Sequence, residues 1–169
     1  MRHHKRYQHI RHLACTGTLG LLLAACGSDG TTPAQSPTTT SVSGVAATGA
    51  PITSGNIVLH CQNNWNEGTT TDNDGKWSMI VPSANLPCAV KASNSGGSEI
   101  YYSFTVGTGS AIVTNVTPLT SLALARANGA TVDDTWFNAL NDGGRLALST
   151  GLSAAITALG TALNTQSYT

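Results

Sequence analysis

The sequence has 169 residues, enough for one domain with a hydrophobic core, and only 9% of them are charged: eight Lys and Arg against eight Asp and Glu, a formal net charge of zero. The balance is uneven along the chain. Arg2, Lys5, Arg6 and Arg11 precede residue 26, where no acid occurs, and the sequence beyond it holds four bases against all eight acids, a net charge of −4. With no basic cluster in that later part, the electrostatic footprint of a nucleic-acid-binding protein is missing, and nucleic acid is excluded as a partner.

Residues 1–12 form a basic stretch that runs directly into the apolar residues Leu13 to Ala25. This run is shorter than the roughly 20 apolar residues that span a bilayer, and small residues close it, so 1–25 reads as a cleaved export signal. Its end, Leu23-Ala24-Ala25-Cys26-Gly27, resembles the lipobox of bacterial lipoproteins. The resemblance implies that Cys26 takes a diacylglyceryl group, becomes the new N-terminus after cleavage and is acylated on its amine. One acyl chain binds a membrane only marginally, whereas two or three give a lasting anchor. The implied partner is therefore a membrane, reached through N-terminal lipid. Gly27 stands where enterobacterial lipoproteins held at the inner membrane carry aspartate, so the expected location is the outer membrane.

Export also bears on the cysteines. Cys15 falls in the discarded signal and Cys26 carries lipid, which leaves Cys61 and Cys88 as an even pair in an oxidising compartment, where a disulfide is expected. Residues 26–40, rich in Ser, Thr, Gly and Pro, contain nothing that builds a core and read as a disordered tether.

From 41 to 116 short β-branched and aromatic runs alternate with Gly, Pro, Asn and Asp, predicting strands near 41–47, 55–61, 67–71, 76–81, 87–93, 99–106 and 110–116. Alternation puts Ile57, Leu59 and Cys61 on one face with Val58 and His60 opposite, and Cys88, Val90 and Ala92 on one face with Ala89 and Lys91 opposite. Both cysteines thus point inward, as a bridge through a sandwich core requires. Trp77, Met79 and Val81, with Ile100, Tyr102, Phe104 and Val106, supply the other inward layers. Turns are expected at Thr48-Gly49-Ala50-Pro51 and at Asp72-Asn73-Asp74-Gly75. The predicted class is mainly β, a seven-stranded Ig-like or prealbumin-like sandwich, followed over 117–169 by two or three helices.

Those helices have readable starts and stops. Thr117-Pro118 gives an N-cap with proline at the first helical position, and Asn128-Gly129 ends that helix. Thr131-Val132-Asp133-Asp134 has the form of a capping box, leading a helix with Val132, Trp136 and Leu140 on one face. After Gly143-Gly144, a third helix places Leu148, Leu152, Ile156, Leu159 and Leu163 on one stripe. Its opposite face is Ser, Thr and Asn with no charge after Arg145, which predicts packing on more than one side or a chain that stops short of a larger architecture.

Gly44, Gly49-Ala50-Pro51-Ile52, Gly55 with Ile57 and Leu59, Thr71 to Trp77 and Pro87-Cys88-Ala89-Val90 together resemble a carboxypeptidase regulatory-like, or transthyretin-like, domain. The resemblance covers 41–116 and implies a β-sandwich accessory module of surface lipoproteins, with no catalytic residues and no cofactor. A true immunoglobulin domain separates its two cysteines much farther than Cys61 and Cys88.

Three constellations have chemical potential. Asp72, Asp74 and Gly75 open like a calcium-binding EF-hand loop, but Lys76 follows at once and no closing glutamate occurs, so a plain turn is expected and no metal. His60 has neither a second histidine nor a neighbouring carboxylate, and no Gly-x-Ser-x-Gly marks a nucleophile, so no catalytic set is expected and a partly exposed strand histidine is. In Gln62-Asn63-Asn64-Trp65-Asn66 an aromatic ring lies among amides, the chemistry that stacks on and hydrogen-bonds a sugar. Asn63, Asn64 and Trp65 are therefore the candidate ligand residues. The competing expectation is that Trp65 covers the end of the sandwich while the asparagines form turns. Overall the sequence points to a non-enzymatic structural or protein-interaction module on an envelope lipoprotein, with an unidentified envelope protein as partner. Glycan binding is the alternative, and a lipoprotein hydrolase a remote one.

Overall fold

A computed structural model describes residues 38–166; the export signal, Cys26 and residues 26–37 of the expected tether lie outside them. Within this span seven strands form two sheets, and helices follow. The strands are β1 (Thr39–Val45), β2 (Asn56–Cys61), β3 (Asn66–Thr70), β4 (Lys76–Pro82), β5 (Cys88–Ser93), β6 (Ile100–Phe104) and β7 (Ala111–Val113). The helices are α1 (Pro118–Asn128), α2 (Asp134–Ala139) and α3 (Asp142–Thr165).

One sheet has the order β4-β1-β7 and the other β3-β2-β5-β6. All pairings are antiparallel except β1 with β7, which is parallel. The immunoglobulin constant arrangement places the first, second, fifth and fourth strands in one sheet; here the first and second strands belong to different sheets.

β1 starts at Thr39, inside the stretch expected to be tether. Thr40 is fully buried, donating to the Gly109 carbonyl at 2.7 Å and sharing a hydrogen bond with the Ser83 hydroxyl at 2.9 Å. At the other end of the sandwich β7 is shorter than expected, yet the chain continues to pair with β1. Thr114 N–H donates to Ser43 O, and Val116 N–H donates to Val45 O. This close approach explains Gly44, whose Cβ, if present, would collide with the Thr114 carbonyl. Gly75 has φ 74° in the tight turn that carries the chain from β3 to β4 in the other sheet, a conformation side chains disfavour.

The sandwich core is aliphatic with one large ring: Val42, Ile57, Leu59, Trp77, Val81 and Val90 are buried, with Cys61 and Cys88 among them. Complete burial of a side chain such as Leu59 stabilises by about 1.5–3 kcal/mol. The cysteines do form a disulfide. It does not cross between the sheets, however. Cys61 and Cys88 are directly opposed on the neighbouring strands β2 and β5, with Cα atoms 4.0 Å apart. Their amides turn elsewhere, Cys61 N–H to Trp65 O and Cys88 N–H to the Thr105 hydroxyl, as at a non-hydrogen-bonded pair, where side chains come closest.

The second face of the β3-β2-β5-β6 sheet departs most from expectation. Ala89 is fully buried, Val58 is half-buried, and Tyr102 and Phe104 are buried, all against the helices rather than in the sandwich. The inward neighbour on β6 is Tyr101, which packs on the sandwich core. Val106 lies past the strand's end and is exposed. The described residues therefore stack as sheet, sheet and helical layer.

α1 begins with reciprocal caps: Thr120 N–H donates to Thr117 Oγ1 and Thr117 N–H donates to Thr120 Oγ1. It ends at Gly129 in the left-handed conformation. β6 is an edge strand, and α1 covers it. Tyr102 N–H donates to Ser121 Oγ, while Thr120 Oγ1 donates to Tyr102 O. α2 starts later than the expected capping box, because Asp133, not Thr131, caps it by accepting from Trp136 N–H at 2.7 Å. Its buried residue is Phe137, with Val132, Trp136 and Leu140 only partly covered. α3 is capped by Asn141, which accepts from Gly144 N–H, so Gly143 and Gly144 lie in its first turn rather than before it.

Only part of the expected α3 stripe is covered. Leu148, Leu152 and Ala155 are buried and Leu159 partly so, while Ile156 and Leu163 are exposed. On its hydroxyl face Thr157 and Thr161 donate to carbonyls one turn back, at Ser153 and Thr157. By length and composition α3 is also apolar enough to cross a membrane, with 17% of its most apolar window buried.

Candidate functional site

The loop after β2 gathers most of the singled-out residues. Gln62–Asn64 forms one 3-10 turn, closed by Cys61 N–H donating to Trp65 O at 2.8 Å. Asn63 and Asn64 adopt φ values of 57° and 56°, the left-handed region that asparagine tolerates better than other side chains. The Asn63 amide donates to Ala84 O at 3.2 Å and to Asn85 Oδ1 at 3.1 Å, tying this loop to the one before β5. Trp65 is half-buried against the sandwich core, beside the disulfide. Asn64 alone of the three is exposed with no side-chain hydrogen bond among the described residues. One candidate amide and much of the indole are thus engaged within the protein.

Beneath this loop a polar chain joins sandwich to helices. Asn63 N–H donates to Asp142 Oδ2 at 3.3 Å, Arg145 Nη1 donates to Asp142 Oδ1 at 2.9 Å, and Arg145 Nε donates to His60 O at 3.1 Å. Arg145 is 1% exposed, and burial holds its guanidinium below its ordinary pKa against the opposing pull of Asp142. Its Nη2 has no partner among the described residues. The sequence presents Arg145 only as the last charge of the helix. Its position three residues after Asp142, in a first turn, is the one signal of the pairing.

His60 is partly buried as expected, but it is not free: Nδ1 hydrogen-bonds with Phe137 O at 2.9 Å and the two rings lie 5.6 Å apart. A second cluster stands nearby. Asp134 Oδ1 accepts from Lys91 Nζ and from the Tyr102 hydroxyl, each at 3.0 Å, and Lys91 sits 5.4 Å above the Phe137 ring. The Lys91 hydrogen bond, more than that from Tyr102, holds the Asp134 carboxyl below its ordinary pKa, while burial and then Asp134 push the Tyr102 hydroxyl up.

In the turn before β4, Asp72 Oδ1 accepts from the amides of Asp74 and Lys76, and Lys76 Nζ pairs with Asp74 at 2.8 Å in open solvent. Both acids are engaged within the turn. No group of three or more His, Cys, Asp or Glu suited to a metal occurs among the described residues.

Set against known proteins, the chain matches no family model, no curated protein and no solved structure.

Proposed function

We propose that this protein is an envelope lipoprotein, anchored through lipid on Cys26, whose transthyretin-like sandwich serves as a non-enzymatic structural or protein-interaction module. The observation that carries the reading is the ordered series of basic stretch, apolar run and Leu23-Ala24-Ala25-Cys26-Gly27. The Cys61–Cys88 disulfide supports it, since such bonds persist in oxidising compartments. The residue set behind the sandwich resemblance also has structural employment here: Gly44 beneath Thr114, Gly75 and Asp72 in a tight turn, Cys88 in the bridge. The non-enzymatic part is supported by His60, Asp134 and Arg145, whose polar atoms hold the helical layer to the sheet.

The test is metabolic labelling with radioactive palmitate in a bacterial host, followed by membrane fractionation. Wild type takes up label and sediments with outer membrane; Cys26→Ser takes up none and accumulates as precursor. Equal labelling of the two overturns the anchor. A glycan array with the chain and its Trp65→Ala variant addresses the sugar reading, which needs binding that this substitution abolishes.

A further inference from the structure

Among the described residues α3 is the element whose composition suits hydrocarbon better than water. Its 24 residues extend over about 36 Å at the helical rise, more than the roughly 30 Å core of a bilayer. Residues 146–165 carry no charge, a stretch of about the length that a crossing needs, and the mean hydropathy of the most apolar window of α3 is 1.6. Two other kinds of helix share these properties, the core helix of a soluble fold and the export signal. α3 is neither. Only 17% of that window is buried, with Leu146 60% and Ile156 52% exposed, and the helix follows the sandwich instead of preceding it. A helix exposed to water carries charged and polar residues on its outer face, and this one has no charge beyond Arg145.

The hydroxyls agree with this. Within 146–165 those of Ser149, Thr150, Thr157, Thr161 and Thr165 donate to helix carbonyls one turn back; Ser153 alone makes no such bond. Donors satisfied within the helix ask nothing of water, which is the condition that hydrocarbon imposes on a polar group. The charges stop at the head of the helix, where Arg145 donates to His60 O and to Asp142. Leu148, Leu152 and Ala155, which pack within the protein, stay shielded from water if lipid replaces that packing, because acyl chains are as apolar as leucine. The surface beside α3 is of the same kind: Val113 and Leu119 are exposed and line, with Ile156 and Leu163, a groove that no Asp, Glu, Lys, Arg or His borders.

We propose that α3 inserts into the hydrocarbon of a phospholipid bilayer along residues 146–165, with Asp142 and Arg145 left at its head beside the sandwich. This is a membrane contact separate from lipid at Cys26, whose test is palmitate labelling. The experiment uses the full chain with Cys26→Ser, which cannot be acylated there, and with the photoreactive residue p-benzoylphenylalanine in place of Ile156, Leu163 or Ile80. Each protein is mixed with vesicles of phosphatidylethanolamine and phosphatidylglycerol carrying tritiated acyl chains and is illuminated. Positions 156 and 163 should take up several-fold more label than position 80, which lies on β4 and reports any lipid brought near by the apolar run at 13–25. Adding Ile156→Glu, at a half-exposed position where the fold tolerates a charge, should cut labelling at 163 by about ten-fold or more, because a charge is costly in hydrocarbon. Circular dichroism checks that this variant stays folded. Labelling at 156 and 163 no higher than at 80 overturns the proposal, as does labelling at 163 that Ile156→Glu leaves unchanged. Crosslinks from 156 to a second protein chain in place of lipid overturn it too, because the helix then belongs to an interface between copies.

Discussion

The two faces of the β3-β2-β5-β6 sheet are stabilised by different chemistry. Toward the second sheet the filling is mostly aliphatic, with Leu59 and Val90 fully buried and a disulfide joining β2 to β5. Toward the helices it is aromatic and stitched by polar groups: Tyr102 packs on Trp136 and Phe137, Lys91 and Tyr102 meet Asp134, and His60 and Arg145 each bond across to the neighbouring layer. The lesson is that a sheet can be inward on both sides while only one side shows uninterrupted apolar alternation. The helical side tolerates Lys91 and His60 because each finds a partner there.

Emptying the helical side should have the largest effect. Phe137→Ala removes a ring that is 2% exposed and touches His60, Tyr102 and Lys91, with an expected loss of about 3–5 kcal/mol. Hydrogen exchange should then quicken in α1, α2 and α3 while β1 and β4 keep their protection. Equal loosening of both layers would show that they unfold as one unit. Next in size is the disulfide. Replacing Cys61 and Cys88 by Ala frees a loop of sequence separation 27 and should cost about 2–5 kcal/mol, read as a lower Tm. Two reactive thiols in the denatured wild-type protein would contradict it.

The smallest effect is electrostatic. Asp134 is held below its ordinary pKa in the folded protein, so its contribution is present above the unfolded value near 3.8 and is lost as pH falls through the lowered one. The side chain is half exposed, which limits the contribution to about 1 kcal/mol or less. Asp134→Asn should therefore flatten the acid limb of stability against pH below about pH 5 and leave the neutral region nearly parallel. An unchanged acid limb would remove Asp134 from the polar stitching.

Most strands are readable because inward residues such as Ile57, Leu59 and Cys61 recur at every second position, and because Asp72 to Gly75 has turn chemistry that local backbone geometry demands. What covered the second face was not readable from alternation, since Lys91 and His60 look like solvent-facing residues until their partners are known. Val58 and Ala89 beside them were the available signal, being apolar on a face expected to be polar. The sequence pairs Cys61 with Cys88 but does not tell a bridge across the core from one between neighbouring strands, because inward direction alone does not distinguish the two. In the candidate loop the residue types were legible. That Asn63 would spend its amide on Ala84 and Asn85 was not, as that contact depends on how two distant turns meet.

The position of β1 has a mechanical consequence. The chain enters the described domain at Thr39 and runs straight into the middle strand of its sheet, held by seven registered pairs to β4 on one side and by β7 on the other. A tensile load directed along β1 strains these ladders in shear, sharing force among many hydrogen bonds at once instead of peeling them one by one. Resistance to pulling from the N-terminal side is thereby built into the order of strands.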